Sequence, residues 1–174
     1  LSQLDVLLQR NTLFTLVCLV LSYGFMWFLP SNMPKSVSII MMLFSLNTAK
    51  SLDTIIAVPP FDLYNTNIYP YFDLADILTW CLYPVFGYFF AYYYIKFRIR
   101  GLMIPVYILC CSLIGTAFEA LNVYFDVFQY RHWKLSYSFC VYLIVQMLCV
   151  LVFTKLKKHW IDQKSQSTRR IDRT

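Results

Sequence analysis

Four ionisable side chains stand where an apolar chain has little reason to place them: Lys50, Asp53, Asp76 and Glu119. Glu119 is the sharpest case, an acid inside the apolar run 101–126, GLMIPVYILCCSLIGTAFEALNVYFD. At helical spacing it shares a face with Ser112, Gly115 and Thr116 before it, and with Asn122 and Asp126 after it. Leu102, Ile104, Leu109, Leu113, Phe118 and Val123 mostly take the other faces. An ionised carboxylate turned to lipid costs about 3 kcal/mol or more, so Glu119 is expected to face protein, water or a cation. Asn47, Lys50, Asp53 and Thr54 recur at intervals of three and four on a second apolar run. Lys50 and Asp53 have the i, i+3 spacing of an intrahelical pair, and Lys50 is the expected cation for Asp53 or Glu119.

Three kinds of chemistry use such a set: an ion pair holding helices in register, a site for an ion or polar ligand, and proton abstraction by Glu119 or Asp53. The last lacks supporting residues. No Ser-His, Cys-His or HExxH arrangement occurs, and four glycines leave no phosphate-cradling loop. No histidine lies within an apolar run, which argues against haem or a di-metal centre. Cys18, Cys81, Cys110, Cys111, Cys140 and Cys149 all lie in apolar runs without a CxxC pair, as small buried hydrophobes do. The expectation is a non-enzymatic protein with no metal and no cofactor.

The elements that position these residues follow from composition. Of the 174 residues 59% are hydrophobic and only 14% charged, against about 25% charged in soluble domains. Charge is gathered at the ends of long neutral runs. That pattern predicts an all-α, polytopic membrane helix bundle with about five transmembrane helices. The spans are expected at 11–29, 36–58, 76–95, 102–125 and 135–154, forming one transmembrane domain over 11–154. An amphipathic segment, 1–10, precedes them; a basic tail, 155–174, follows, beginning as a continuation of the last helix and then becoming disordered. No internal repeat is evident. The net charge of +6 sits mainly in Lys96, Arg98, Arg100 and the tail, where membrane topology explains it better than nucleic-acid binding does.

Lys and Arg placement puts the turn after the third span and the tail in the cytoplasm, with the N-terminus outside. The loop 59–75, PPFDLYNTNIYPYFDLA, has no Lys or Arg and falls outside, resting on the interface. The loop 126–134 also falls outside, its Arg131 and Lys134 running against the trend. Phe89, Phe90 and Tyr92 to Tyr94 read as an aromatic belt at the cytoplasmic boundary, Pro84 as a kink and Gly87 as a close helix contact. Ser138, Tyr142 and Gln146 give the fifth span a polar stripe. At 1.5 Å per residue, Lys50 and Asp53 rise roughly 21 and 26 Å above Ser36, and Glu119 roughly 27 Å above Gly101. Asp76 opens the third span at the same level. These four are therefore expected to form a polar pocket near the outer face, rimmed by Asp126, Arg131, His132 and Trp133.

The run 118–139, FEALNVYFDVFQYRHWKLSYSF, resembles a pattern in uncharacterised small multi-span integral membrane proteins of Bacillus-like, spore-forming bacteria. There a helix-borne Glu precedes an aromatic stretch, a Tyr, a Trp and a Ser-containing helix; here these are Glu119, Tyr130, Trp133, Ser136 and Ser138. Tyr83-Pro84 is similar as well. The resemblance covers the C-terminal two thirds and implies a bacterial plasma membrane, but carries no activity. The functional expectation is an accessory or partner-binding membrane subunit, its partners being the bilayer and another membrane protein or a second copy, with no nucleic acid. The alternative is a small transporter or channel for an ion or polar solute.

Overall fold

Helices α1 (Arg10–Phe28), α2 (Lys35–Ala57), α3 (Leu74–Lys96), α4 (Met103–Tyr124) and α5 (Leu135–Ile171) alternate in chain order with strands β1 (Tyr64–Thr66), between α2 and α3, and β2 (Phe128–Tyr130), between α4 and α5. The computed structural model describes the backbone of residues 9–30, 33–57, 61–66 and 74–171, and the side chains of 9–30, 33–57, 61–64 and 76–163. The amphipathic segment over 1–8 and most of the loop 59–75, Asp73 included, lie outside the described residues.

The chain is an all-α bundle. α1, α2, α4 and the Leu135–Gln163 part of α5 are long and apolar enough to cross a membrane. α3 has the length, 23 residues, and carries five tyrosines along an otherwise largely apolar helix. Its place in the bundle accounts for this. α3 packs on α1, α2 and α5, and Thr79, Leu82, Val85, Phe90, Ala91, Tyr92 and Tyr94 are buried along it. A helix enclosed by protein can carry phenols because neighbouring groups accept their hydrogen bonds. The aromatic belt expected at its end is accordingly half a core: Tyr92 is 1% exposed and Tyr94 4%, and Tyr94 packs edge-on against Phe153 and Tyr107.

α2 and α3 approach closely at Gly87, where a Cβ would stand 2.3 Å from the Met41 carbonyl oxygen. Around Pro84, Ser45 donates to the Tyr83 carbonyl at 2.9 Å and Tyr23 to the Cys81 carbonyl at 2.9 Å. Such donors from neighbouring helices are what make an interior proline tolerable. α4 packs on α5, while α3 and α4 are bridged mainly by side chains: Phe86 against Phe118 at 5.2 Å, and the Tyr107 phenol on the Phe90 carbonyl at 2.7 Å.

The last helix runs on through the basic tail, α5 continuing to Ile171. No Gly or Pro interrupts that stretch, its Lys, Gln and Arg residues favour helix, and Leu156 and Trp160 still pack on the core.

β1 and β2 form an antiparallel ribbon, with Tyr64 opposite Tyr130, Asn65 opposite Gln129 and Thr66 opposite Phe128. One carbonyl anchors it: Leu63 O accepts the N–H groups of Arg131, His132 and Trp133 at 3.1, 3.0 and 3.2 Å. The order helix–strand–helix therefore occurs twice, as α2–β1–α3 and α4–β2–α5, although no repeat is visible in residue identity.

Candidate functional site

Asp53 lies in the last turns of α2 and Glu119 in the last turns of α4, so both acids meet the bundle end covered by the ribbon. Each receives a phenol from its own following strand. Tyr64 donates to Asp53 Oδ1 at 2.6 Å, and Tyr130 donates to Glu119 Oε1. Both tyrosines lie eleven residues after their acid, and they face one another across the ribbon.

The helices complete each shell. Tyr83 of α3 donates to Asp53 Oδ2 at 2.5 Å. Ser138 of α5 donates to Glu119 Oε1 at 2.5 Å and accepts the Trp133 indole N–H at 2.7 Å. The Tyr142 phenol, one turn further along α5, lies within reach of the Glu119 carboxylate. Glu119 is 8% exposed, with Ser112 and Asn122 of the same face also buried. On the ribbon, burial and then the adjacent Asp53 carboxylate raise the Tyr64 phenol far above its ordinary value. Burial and then its hydrogen bond to Glu119 do the same to Tyr130. Both stay protonated, which keeps them donors.

Lys50 is not placed as the sequence leads one to expect. Its Nζ lies 3.8 Å from the centre of the Trp80 ring, within electrostatic range of Asp53 but in no ion pair with Asp53 or Glu119 among the described residues. A lysine stem is long enough to carry the ammonium sideways to an aromatic face, which holds a cation without a carboxylate. Asp76 stands in the first turn of α3, half-buried and off the cavity wall. Of the expected rim, Trp133 joins the site. Arg131 pairs instead with Asp62 at 2.5 Å on the exposed surface, and the His132 side chain is exposed. Asp126 caps α4 from a left-handed conformation, φ 61°, which short polar side chains tolerate.

Beneath the acids lies a cavity of about 410 Å³ between α2, α3, α4 and α5. Asp53, Glu119, Tyr64, Tyr83, Trp133 and Ser138 form its head; Phe86, Phe90, Ile114, Val141, Val145 and Cys149 belong to a predominantly apolar stem. The polar stripe expected on α5 contributes all three of its members, Ser138, Tyr142 and Gln146. Cavities of about 300–1,000 Å³ with mostly apolar walls and a few convergent polar groups are what small ligands occupy. Beyond Tyr107 and Cys149 the interior is filled by Tyr94, Phe153, Ile99 and Met33.

The acids were conspicuous as charges in apolar runs, but their phenol donors were not. Tyrosine reads as an interfacial anchor, and that reading hides Tyr64, while Tyr83 and Tyr130 stand out in the sequence only through the resemblance. The buried polar start of α1, with Asn11, Thr12 and Thr15 each under 3% exposed, also escapes a count that looks only for charge. It adjoins the α4 end, where Phe14 stacks on Phe125 at 4.2 Å and Arg10 lies over Tyr124 at 4.5 Å. Comparison with known protein families, curated proteins and solved structures finds no match.

Proposed function

We propose that the protein is a multi-pass integral membrane protein that works by binding rather than catalysis, holding an amphiphilic ligand in the cavity beneath its acid–tyrosine head. One observation carries the reading: a polar head and an apolar stem form one continuous cavity inside a bundle whose outer faces suit lipid. In this reading the head faces the outer leaflet, the N-terminus is outside, and the basic end lies in the cytoplasm. Arg98, Arg100 and Lys157 gather around one groove at the opposite end, which supports that orientation. The role suits an accessory subunit of a bacterial plasma membrane, and several residues of the sequence resemblance (Tyr83, Glu119, Tyr130, Trp133 and Ser138) are those that converge at the head.

Transport of an ion or polar solute is the second reading, favoured by the two carboxylates. The apolar filling below Tyr107 and Cys149 weighs against it, because a solute path needs polar groups along its length. Native mass spectrometry of the protein purified in mild detergent is expected to show one small amphiphile per chain. Val145→Phe, which fills the stem, is expected to release it. A chain that emerges bare, and takes up no added amphiphile, rules the binding reading out.

A further inference from the structure

We propose that the head of the cavity selects a cation: the ligand is a lipophilic amine, with a protonated ammonium head between Asp53 and Glu119 and one apolar tail in the stem. The inference rests on the binding reading above and specifies its ligand class.

The charge balance comes first. Asp53 and Glu119 lie close enough to act on each other electrostatically, and the hydrogen bonds they accept come from neutral phenols and a hydroxyl. Among the described residues no cation touches either acid. Lys50 is held on Trp80 and Arg131 on Asp62. Two buried carboxyls that no cation touches, with Lys50 acting on Asp53 only at a distance, favour a bound cation, because the alternatives are to protonate or to hold an unpaired charge. Each carboxylate offers about four lone-pair directions, so the phenols already in place leave acceptor capacity at both.

A second observation is independent of the acids. The side-chain oxygen of Gln146, on the same cavity wall, is buried with no hydrogen-bond partner among the described residues. At 1.5 Å per residue it lies roughly 12 Å along α5 from Ser138, so it adds spare acceptor capacity further down the same cavity. An ammonium brings three donors and no acceptor. The remaining wall fits the same group: Tyr64, Phe128, Trp133 and Tyr142 line the head with aromatic surface, which attracts alkylammonium groups. Phe86 of α3 and Ile114 of α4, both on the cavity wall, are 40% and 69% exposed. An apolar tail can therefore enter sideways, between α3 and α4, from the lipid phase.

The test uses the protein in phosphatidylcholine nanodiscs, with empty nanodiscs as the partition baseline, and a saturable change in intrinsic tryptophan fluorescence as the readout. Three probes share one tail: dodecylamine, dodecanol and dodecyl sulfate. Dodecylamine is expected to bind on the order of tenfold more tightly than dodecanol, with dodecyl sulfate weakest. Glu119→Gln and Asp53→Asn are expected to abolish that preference while leaving dodecanol binding in place. Equal affinity for amine and alcohol, or tighter sulfate binding, overturns cation selection but leaves the binding reading intact. No saturable binding of any probe removes both. The comparison among probes needs only the unmodified protein, so a variant that fails to fold does not spoil it.

Discussion

The two helix–strand–helix units solve one problem with different materials. In α2–β1–α3 the acid is Asp53, and both of its donors are tyrosines, one from the strand and one from the partner helix. In α4–β2–α5 the acid is Glu119; its strand donor is again a tyrosine, but the helix donor is Ser138, itself held by Trp133. Packing differs in the same way. The first unit closes on Gly87, with a Met41 backbone oxygen 2.3 Å from where a Cβ would sit, whereas Gly115 of the second faces the Tyr142 ring at an ordinary 3.5 Å. The first unit is thus tight at its helix contact and the second looser, the cavity lying along both. Capping of the acid depends on strand pairing, which the units share. Helix spacing is free to vary.

The difference can be tested from its largest consequence down. Gly87→Ala is expected to destabilise the bundle by about 1–3 kcal/mol or more, since backbone must move to admit the methyl. Gly115→Ala is expected to be neutral or to stabilise by up to about 1 kcal/mol through helix propensity. Thermal unfolding in detergent compares the two, and equal losses would show that the units pack alike. Next come the strand phenols. Tyr64→Phe and Tyr130→Phe each remove one donor from a buried acid, for an expected loss of about 1–3 kcal/mol. The effect should be smaller at Tyr130, because Ser138 and Tyr142 remain beside Glu119. The same phenols carry a pH signature. Their folded-state values are raised, so their contribution is complete below the ordinary tyrosine range near ~10 and is lost as pH climbs through the raised values. Ultraviolet titration of tyrosinate should show two fewer late-titrating groups in the double Phe variant. Smallest is Arg131→Ala: with Arg131 48% and Asp62 42% exposed, the expected loss is about 0–1 kcal/mol.

Much of the helical architecture was legible because length and hydropathy vary together along the chain. The four expected spans other than the third correspond to helices apolar enough to cross a membrane. The third shows the limit of that signal, since hydropathy alone does not say that Tyr83, Tyr92 and Tyr94 lie on a helix packed among the others. Asp53 and Glu119 were found for a related reason: one charge in an apolar run stands out. Lys50 misled, because spacing says which residues are close but not where a long side chain turns. The ribbon was hidden by its length, three residues a strand being too few for any period to show. Phe61-Asp62-Leu63 and Phe125-Asp126-Val127 each place an aspartate at positive φ, 43° and 61°, and each is followed by a tyrosine eleven positions after the acid of the preceding helix.

That chain order has a consequence for how the protein is made. Tyr64 and Tyr83 follow Asp53 in the sequence, and Tyr130, Ser138 and Tyr142 follow Glu119. The ribosome therefore delivers each acid before any of the groups that shelter it. A nascent chain ending after α4 carries Glu119 into the insertion machinery with none of its own donors yet synthesised. Completion of α5 supplies Ser138 and Tyr142 and closes the second shell.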